Sequence, residues 1–219
     1  MSIELLHADC MDYMRDQPDN AFELAIVDPP YGIGESGKTN NTRSKLATAK
    51  NYKSFHGDDL VAPSEEYFRH IRRVSKNQII WGANHFIDNF SLSASSPCWV
   101  VWDKDNGKND FADCELAWCS FKTAVRMFKY TWHGMRQGDM KNKEQRIHPT
   151  QKPVKLYDWL LANYAKEGDR ILDTHLGSGS SAIAAHYGGF DFVGMELDAD
   201  YYKAACERFD RETRQADMF

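Results

Sequence analysis

Arg170-Ile171-Leu172-Asp173-Thr174-His175-Leu176-Gly177-Ser178-Gly179-Ser180-Ser181 is the stretch from which the fold reads outward. A short apolar run ends in an acid, bends through Gly177-Ser178-Gly179, and enters an alanine-rich segment. Glycines at such a bend let the backbone approach a bound ligand with no Cβ in the way. The next apolar run, 190–195, ends in Glu196, about 20 residues beyond the glycines, where an acid can accept from ribose hydroxyls. Similar short runs predict strands at 3–6, 21–27, 78–81, 98–102, 114–119, 124–129, 170–172 and 190–195. Helices fit at 64–76, with Ser64 as its cap, and at 154–166, 179–187 and 199–208. Strands alternating with helices predict an α/β chain: a mostly parallel sheet with helices on both faces. The strand-rich stretch 98–129 predicts a meander or antiparallel edge.

The 219 residues suit one domain, 1–219, with a core of its own. At 42% hydrophobic and 27% charged, the composition is globular rather than disordered. No run approaches the length of a membrane span, and the acidic start, Met1 to Cys10, does not read as a signal peptide. Five cysteines without a CxxC pair argue against a disulfide scaffold, and eight scattered histidines lack metal spacing. The expectation is a cytoplasmic protein with no membrane partner and no metal. Cys98 follows a proline but sits in an apolar run and reads as core.

The net charge of −5 hides an asymmetry. Lys38, Arg43, Lys45, Lys50 and Lys53 stand together with no acid among them. Between 120 and 155, Lys122, Arg126, Lys129, Arg136, Lys141, Lys143, Arg146, Lys152 and Lys155 face only Asp139 and Glu144. An acidic body with two basic stretches fits a polyanion partner met at particular places, or two solvated surfaces. Segments 34–56 and 130–150 show little periodicity and read as long loops, of the kind that carry contacts.

Asp173 selects among nucleotides. A dinucleotide site wants GxGxxG and a helix N-terminus open to pyrophosphate. Here the glycines stand as Gly-Ser-Gly-Ser beside an acid, which repels a diphosphate and suits an ammonium or sulfonium. S-adenosylmethionine carries both, plus an adenosine ribose. An NAD-type oxidoreductase fits poorly.

Asp28-Pro29-Pro30-Tyr31 is the sharpest motif. Two prolines cannot continue a parallel strand, so they force a rigid turn just past it. Asp28 offers a carboxylate acceptor, Pro29 a carbonyl, and Tyr31 a stacking face. The exocyclic amine of a base lifted from its helix needs all three.

Asp28-Pro29-Pro30-Tyr31, taken with Asp173-Thr174-His175-Leu176-Gly177-Ser178-Gly179, resembles the amino-group (N6-adenine or N4-cytosine) DNA methyltransferases, in the β-class order with the catalytic motif first. Leu6-His7-Ala8-Asp9-Cys10, Ile80-Trp81-Gly82-Ala83-Asn84, Trp99 to Lys104 and His148-Pro149-Thr150-Gln151-Lys152-Pro153 are similar to further segments of that family. The resemblance implies a Rossmann-like, circularly permuted S-adenosylmethionine-dependent fold, with the first strand beside the one that ends in Glu196. It implies that Asp173, Gly177, Ser178 and Gly179 hold the methionine moiety and Glu196 the ribose. Asp9 and the Cys10 backbone would meet the cofactor's adenine, and Lys152 its carboxylate. Where the family commonly has Pro-Phe, Thr174 and His175 stand. His175 can still stack, but a charge on it would oppose a sulfonium.

The expected reaction is methyl transfer to adenine N6 in DNA, within restriction-modification chemistry. Alternatives are an N4-cytosine enzyme on the same scaffold and a catalytically inactive DNA-binding relative. DNA contacts are expected from Lys38, Arg43, Lys45, Lys50, Lys53, Arg136 and Arg146. Trp132 is the candidate aromatic for a base or sugar, weighed against a packing role. The chain is short for such an enzyme, so a short recognition site or a homodimer fits.

Overall fold

The computed structural model describes residues 1–34, 61–90, 94–107, 112–133 and 136–214. In chain order its elements are β1 (Ile3–His7), α1 (Cys10–Asp16), β2 (Phe22–Val27), α2 (Glu65–Val74), β3 (Ser75–Trp81), β4 (Trp99–Asp103), β5 (Cys114–Cys119) and β6 (Arg126–Lys129). There follow β7 (Trp132–His133), β8 (Arg136–Gln137), α3 (Val154–Tyr164), β9 (Arg170–Asp173), α4 (Ser180–Gly188), β10 (Asp191–Glu196) and α5 (Ala199–Arg214). Eight strands form one sheet in the order β1-β10-β9-β2-β3-β5-β4-β6. Only β5 runs against the rest: it pairs antiparallel with β3 and β4, and β6 returns parallel to β4. The edge is therefore mixed, neither a meander nor wholly antiparallel.

Side-chain alternation divides the core. Leu24 and Ile26 of β2 face one cluster with Leu156, Leu160, Ala182 and Ala205, so α3, α4 and α5 cover that face. Ala25 and Val27 face the other, with Met14, Phe68 and Ile71 of α1 and α2. Burial on both sides explains why the parallel strands read as continuous apolar runs. The first strand lies beside β10, with Leu5 opposite Gly194, as the permuted order requires.

Some boundaries differ from the sequence expectation. The second helix stops at Val74 because Ser75 turns extended and its hydroxyl bonds back to the Ile71 carbonyl at 2.6 Å. Ser64 does occupy the N-cap, but its side chain makes no capping bond. The short helix α1 had no periodic signal, having one buried residue, Met14. Residues 133–150 are not structureless among the described positions. Trp132 and Gln137 pair in a β7–β8 ribbon. A following turn is closed by Asp139, which accepts from the Lys141 and Asn142 backbone N–H groups.

Parallel strands present their carboxyl ends on one side of the sheet, and ligands bind where the strand order reverses. Here that point lies between β9 and β2, which are neighbours with Ala25 opposite Leu172.

Candidate active site

Because β2 and β9 are adjacent, the turns that leave them meet. Asp28, Pro29, Pro30 and Tyr31 line the same cavity of about 790 Å³ as His175, Gly177, Ser178 and Glu196. Asp9 and Cys10, at the end of β1, and Lys152, just before α3, line it too.

The glycine bend is built from its acids. The Gly177 N–H donates to Glu196 Oε2 at 2.8 Å, while Glu196 Oε1 accepts from the Asp198 N–H at 3.0 Å. Gly177 has φ +52°, a left-handed backbone that favours glycine. Asp173 departs from its expected place. It is 1% exposed and does not line the cavity. One oxygen takes the His175 N–H at 3.0 Å and the other the Ser181 hydroxyl at 2.6 Å. Burial pushes its carboxyl up to about 7, against those two bonds. Asp173 thus braces the bend from behind. Gly179 also lies off the cavity, starting α4 against Ala205. Asp9 caps α1, accepting from the Met11 N–H at 2.7 Å.

His175 is held neutral. Burial depresses its imidazole to about 4. Its Nδ1 lies 2.9 Å from the Thr174 hydroxyl oxygen, which is 2.7 Å from that of Tyr67. The charge that would oppose a sulfonium is absent at neutral pH.

At the other half, Tyr31 donates to Asp28 Oδ1 at 2.8 Å. Burial, then Asp28 and Glu115, raise its phenol well above the ordinary value, so it stays a donor. Its ring lies parallel to exposed His85, centroids 5.2 Å apart. Gly82 makes room for that ring: a Cβ there would come within 2.1 Å of Tyr31 Cε1. The Trp81-Gly82-Ala83 segment is the floor under Tyr31.

Lys152 is also not where the sequence placed it. Its ammonium is buried and stands 2.5 Å from Asp28 Oδ2 and 3.0 Å from Glu115 Oε2, rather than being reserved for a cofactor carboxylate. Burial raises the Asp28 carboxyl against the pull of Lys152. Burial also raises Glu115, but Lys152 and Lys104 outweigh it and hold that carboxyl at about 2. Glu115 gave no signal in the sequence, because only the reversed direction of β5 brings the start of that strand to the carboxyl-end face.

Trp132 packs rather than presenting a face to a base. It is 6% exposed, its indole N–H donates to the Gln151 carbonyl at 2.7 Å, and the Arg146 guanidinium lies 4.4 Å from its ring. Arg136 is exposed on β8. Lys38, Arg43, Lys45, Lys50 and Lys53 lie outside the described residues.

The cavity suits an adenosyl sulfonium. Asp28 and Glu115 are paired with Lys152 and Lys104 on its wall, while Asp9 and Glu196 add carboxylates that favour a cation and disfavour a diphosphate. Apolar Ala8, Leu176 and Met195 lie between them. Glu196 keeps lone pairs for ribose hydroxyls beyond its two backbone bonds. Among the described residues no cluster of histidine, cysteine or acid side chains could hold a metal ion, and no helix is long and apolar enough to cross a membrane.

A sheet of this order, with an acid–proline–proline–tyrosine turn facing a glycine bend, is the arrangement that the sequence resemblance to the amino-group DNA methyltransferases implies. Residues 101–207 match the family model described as DNA methylase. The type II methyltransferase M2.DpnII of Streptococcus pneumoniae is 24% identical over 247 residues, 95% of this chain and 90% of its own. The solved M1.HpyAVI–SAM complex shares the fold at TM-score 0.55 and 20% identity, over 94% of this chain and 99% of that one. The cytosine-N4-specific PvuII DNA methyltransferase does so at TM-score 0.60 and 11% identity, over 99% of this chain and 92% of its own.

Proposed function

We propose that this protein is a DNA methylase that transfers a methyl group from S-adenosylmethionine to adenine N6 in DNA. One observation carries the reading: the Asp28-Pro29-Pro30-Tyr31 turn and the Gly177-Ser178 bend open into one cavity. When bound, S-adenosylmethionine supplies a methyl group on a sulfonium. Glu196 and Asp9 hold its adenosine, and the Gly177-Ser178 backbone its methionine end. The solved M1.HpyAVI–SAM complex supports that cofactor.

The target base leaves the duplex and stacks on Tyr31, taking the place that the exposed His85 ring holds. Asp28 accepts from its amino group and turns the nitrogen lone pair toward the cofactor end of the cavity. Positioning and exclusion of water supply most of the rate, because a neutral aryl amine is far too weak an acid to be deprotonated first. Arg136, Arg146 and the basic stretch of Lys38, Arg43, Lys45, Lys50 and Lys53 meet the DNA backbone or base edges. The kinship with M2.DpnII, named a type II methyltransferase, supports a role in restriction-modification.

Asp28→Ala abolishes methyl transfer to DNA while S-adenosylmethionine binding, measured by calorimetry, persists. Normal turnover in that variant refutes the assignment. Mass analysis of nucleosides from DNA treated with the wild type gives N6-methyladenine. N4-methylcytosine would instead favour the alternative that the PvuII likeness represents.

A further inference from the structure

Lys152 occupies the place that a target amino group needs. Its Nζ is 2.5 Å from Asp28 Oδ2 and 3.2 Å from the Tyr31 hydroxyl, and Tyr31 itself fills Asp28 Oδ1 at 2.8 Å. Both oxygens of the acid already hold a donor. An amine that is to dock there must displace or crowd one of them. Lys152 is the poorer neighbour of the two. Methyl transfer builds positive charge on the amine nitrogen, and an ammonium beside it opposes that charge. Yet the lysine side chain is 4% exposed, and a charge so deep cannot simply be left unpaired.

The structure provides a second seat. Glu115 Oε2 lies 3.0 Å from the same Nζ, while Glu115 Oε1 is paired with Lys104. Tyr31 links the two seats, 3.5 Å from Glu115 Oε2. Two carboxylates and two ammoniums share the cavity wall, so the group is neutral whichever acid the lysine favours.

We propose that Glu115 is a positioning residue of the methyl transfer, taking over the Lys152 ammonium when the target amino group docks on Asp28. The inference rests on the methyltransferase reading above. Before DNA arrives, Lys152 is paired with the half-buried Asp28 carboxylate. On docking, the ammonium shifts wholly to Glu115, Asp28 Oδ2 becomes the acceptor for the amine N–H, and net charge is unchanged. No covalent bond forms or breaks in the exchange and no proton moves.

Steady-state methylation of plasmid DNA from an unmethylated host, with the full chain, tests the exchange. Glu115→Gln keeps the shape of the seat but not its charge. Lys152 then stays on Asp28, and kcat falls by about tenfold or more, as for loss of a charged hydrogen bond, with S-adenosylmethionine binding unchanged. Adding Lys152→Met removes the competitor, and with one acid and one ammonium both gone the net charge of the group is that of the wild type, so kcat recovers relative to Glu115→Gln alone. A merely structural role predicts the reverse, a second loss added to the first. Glu115→Asp, which keeps the charge one methylene further back, gives an intermediate kcat. Lys152→Met alone leaves Asp28 and Glu115 without the ammonium between them, so one carboxyl resists ionisation and the acid limb of the kcat profile moves to higher pH. The titratable groups facing Asp28 in that profile are Glu115, Tyr31, Tyr67, Tyr157 and Asp173. A Glu115→Gln enzyme as fast as wild type, or a double variant no faster than Glu115→Gln, overturns the exchange. Failure of the underlying reading looks different: the wild type itself would place no methyl group on DNA.

Discussion

Burial holds the His175 imidazole at about 4, and this one ring shapes how the cofactor end of the cavity responds to acid. In the unfolded chain a histidine titrates near 6.5, so folding favours its neutral form. That stabilisation is complete above about 6.5 and is lost as pH falls toward about 4. His148 is depressed to about 4 by burial as well, with Lys152 adding to the effect. A variant that alters only position 175 separates the two. His175→Phe installs the residue common in the family and removes the group that acid must charge. At pH 7 it loses the contact with Thr174 Oγ1, a cost of about 1 kcal/mol. Between pH 6.5 and 4 its stability relative to wild type rises, by at most about 1.4 kcal/mol per pH unit. Urea denaturation at pH 7, 6 and 5 checks this. A difference that stays constant across those values shows that the ring does not carry the titration.

Helix α5 does more than cover the sheet. Its Arg208 is 0% exposed and reaches two separate parts of the site. It donates to the Ser178 carbonyl at 3.0 Å and to Ser180 Oγ at 2.8 Å, so it grips the glycine bend. It also pairs with Glu144 at 2.8 Å, and Glu144 in turn accepts from the Val154 N–H at the start of α3. The bend, α5 and the basic 130–150 segment are thus pinned at one buried guanidinium. Removing one partner of a buried pair strands the other, so Arg208→Met lowers stability by about 3–5 kcal/mol, read by chemical denaturation. A loss below about 1 kcal/mol contradicts the pinning. None of this was legible beforehand: Arg208 stood as the expected last residue of a helix that continues to Arg214. What sequence does reveal is local. Apolar runs ending in Asp28, Asp173 and Glu196 gave three of the parallel strands and the two turns that meet, since a strand and its exit turn are consecutive residues. Lys152 was recognised but assigned the wrong partner, and Glu115 was missed, because their pairing with Asp28 depends on strand order. Trp132 stood open between a base contact and a packing role, because packing under Arg146 uses the same composition as a base-stacking aromatic among basic residues.

On the scale of the molecule, charge separates from fold. The net charge is −5, yet the Asp28, Glu115, Lys104 and Lys152 group on the cavity wall is neutral by pairing, and uncompensated bases gather in two stretches of the sequence. Arg136, Lys141 and Lys143 are exposed on and after the β7–β8 ribbon. Glu144 of the same segment is tied to Arg208, and Asp139 is spent on closing its turn, so neither acid neutralises those three side chains through a salt bridge. A polyanion drawn to an acidic body needs such places, and binding to it releases counterions in proportion to the phosphates met. DNA affinity therefore falls steeply with salt. Each phosphate contact removed lowers the slope of log K against log salt by about 0.9. Replacing Arg136, Lys141 and Lys143 together by Gln takes about 2–3 from that slope if all three touch backbone. S-adenosylmethionine affinity is unchanged, because none of the three lines the cavity. Fluorescence anisotropy on duplex DNA at several salt concentrations reads the slope. A slope equal to that of wild type places the DNA elsewhere, and the basic stretch of Lys38, Arg43, Lys45, Lys50 and Lys53 then becomes the segment to neutralise next.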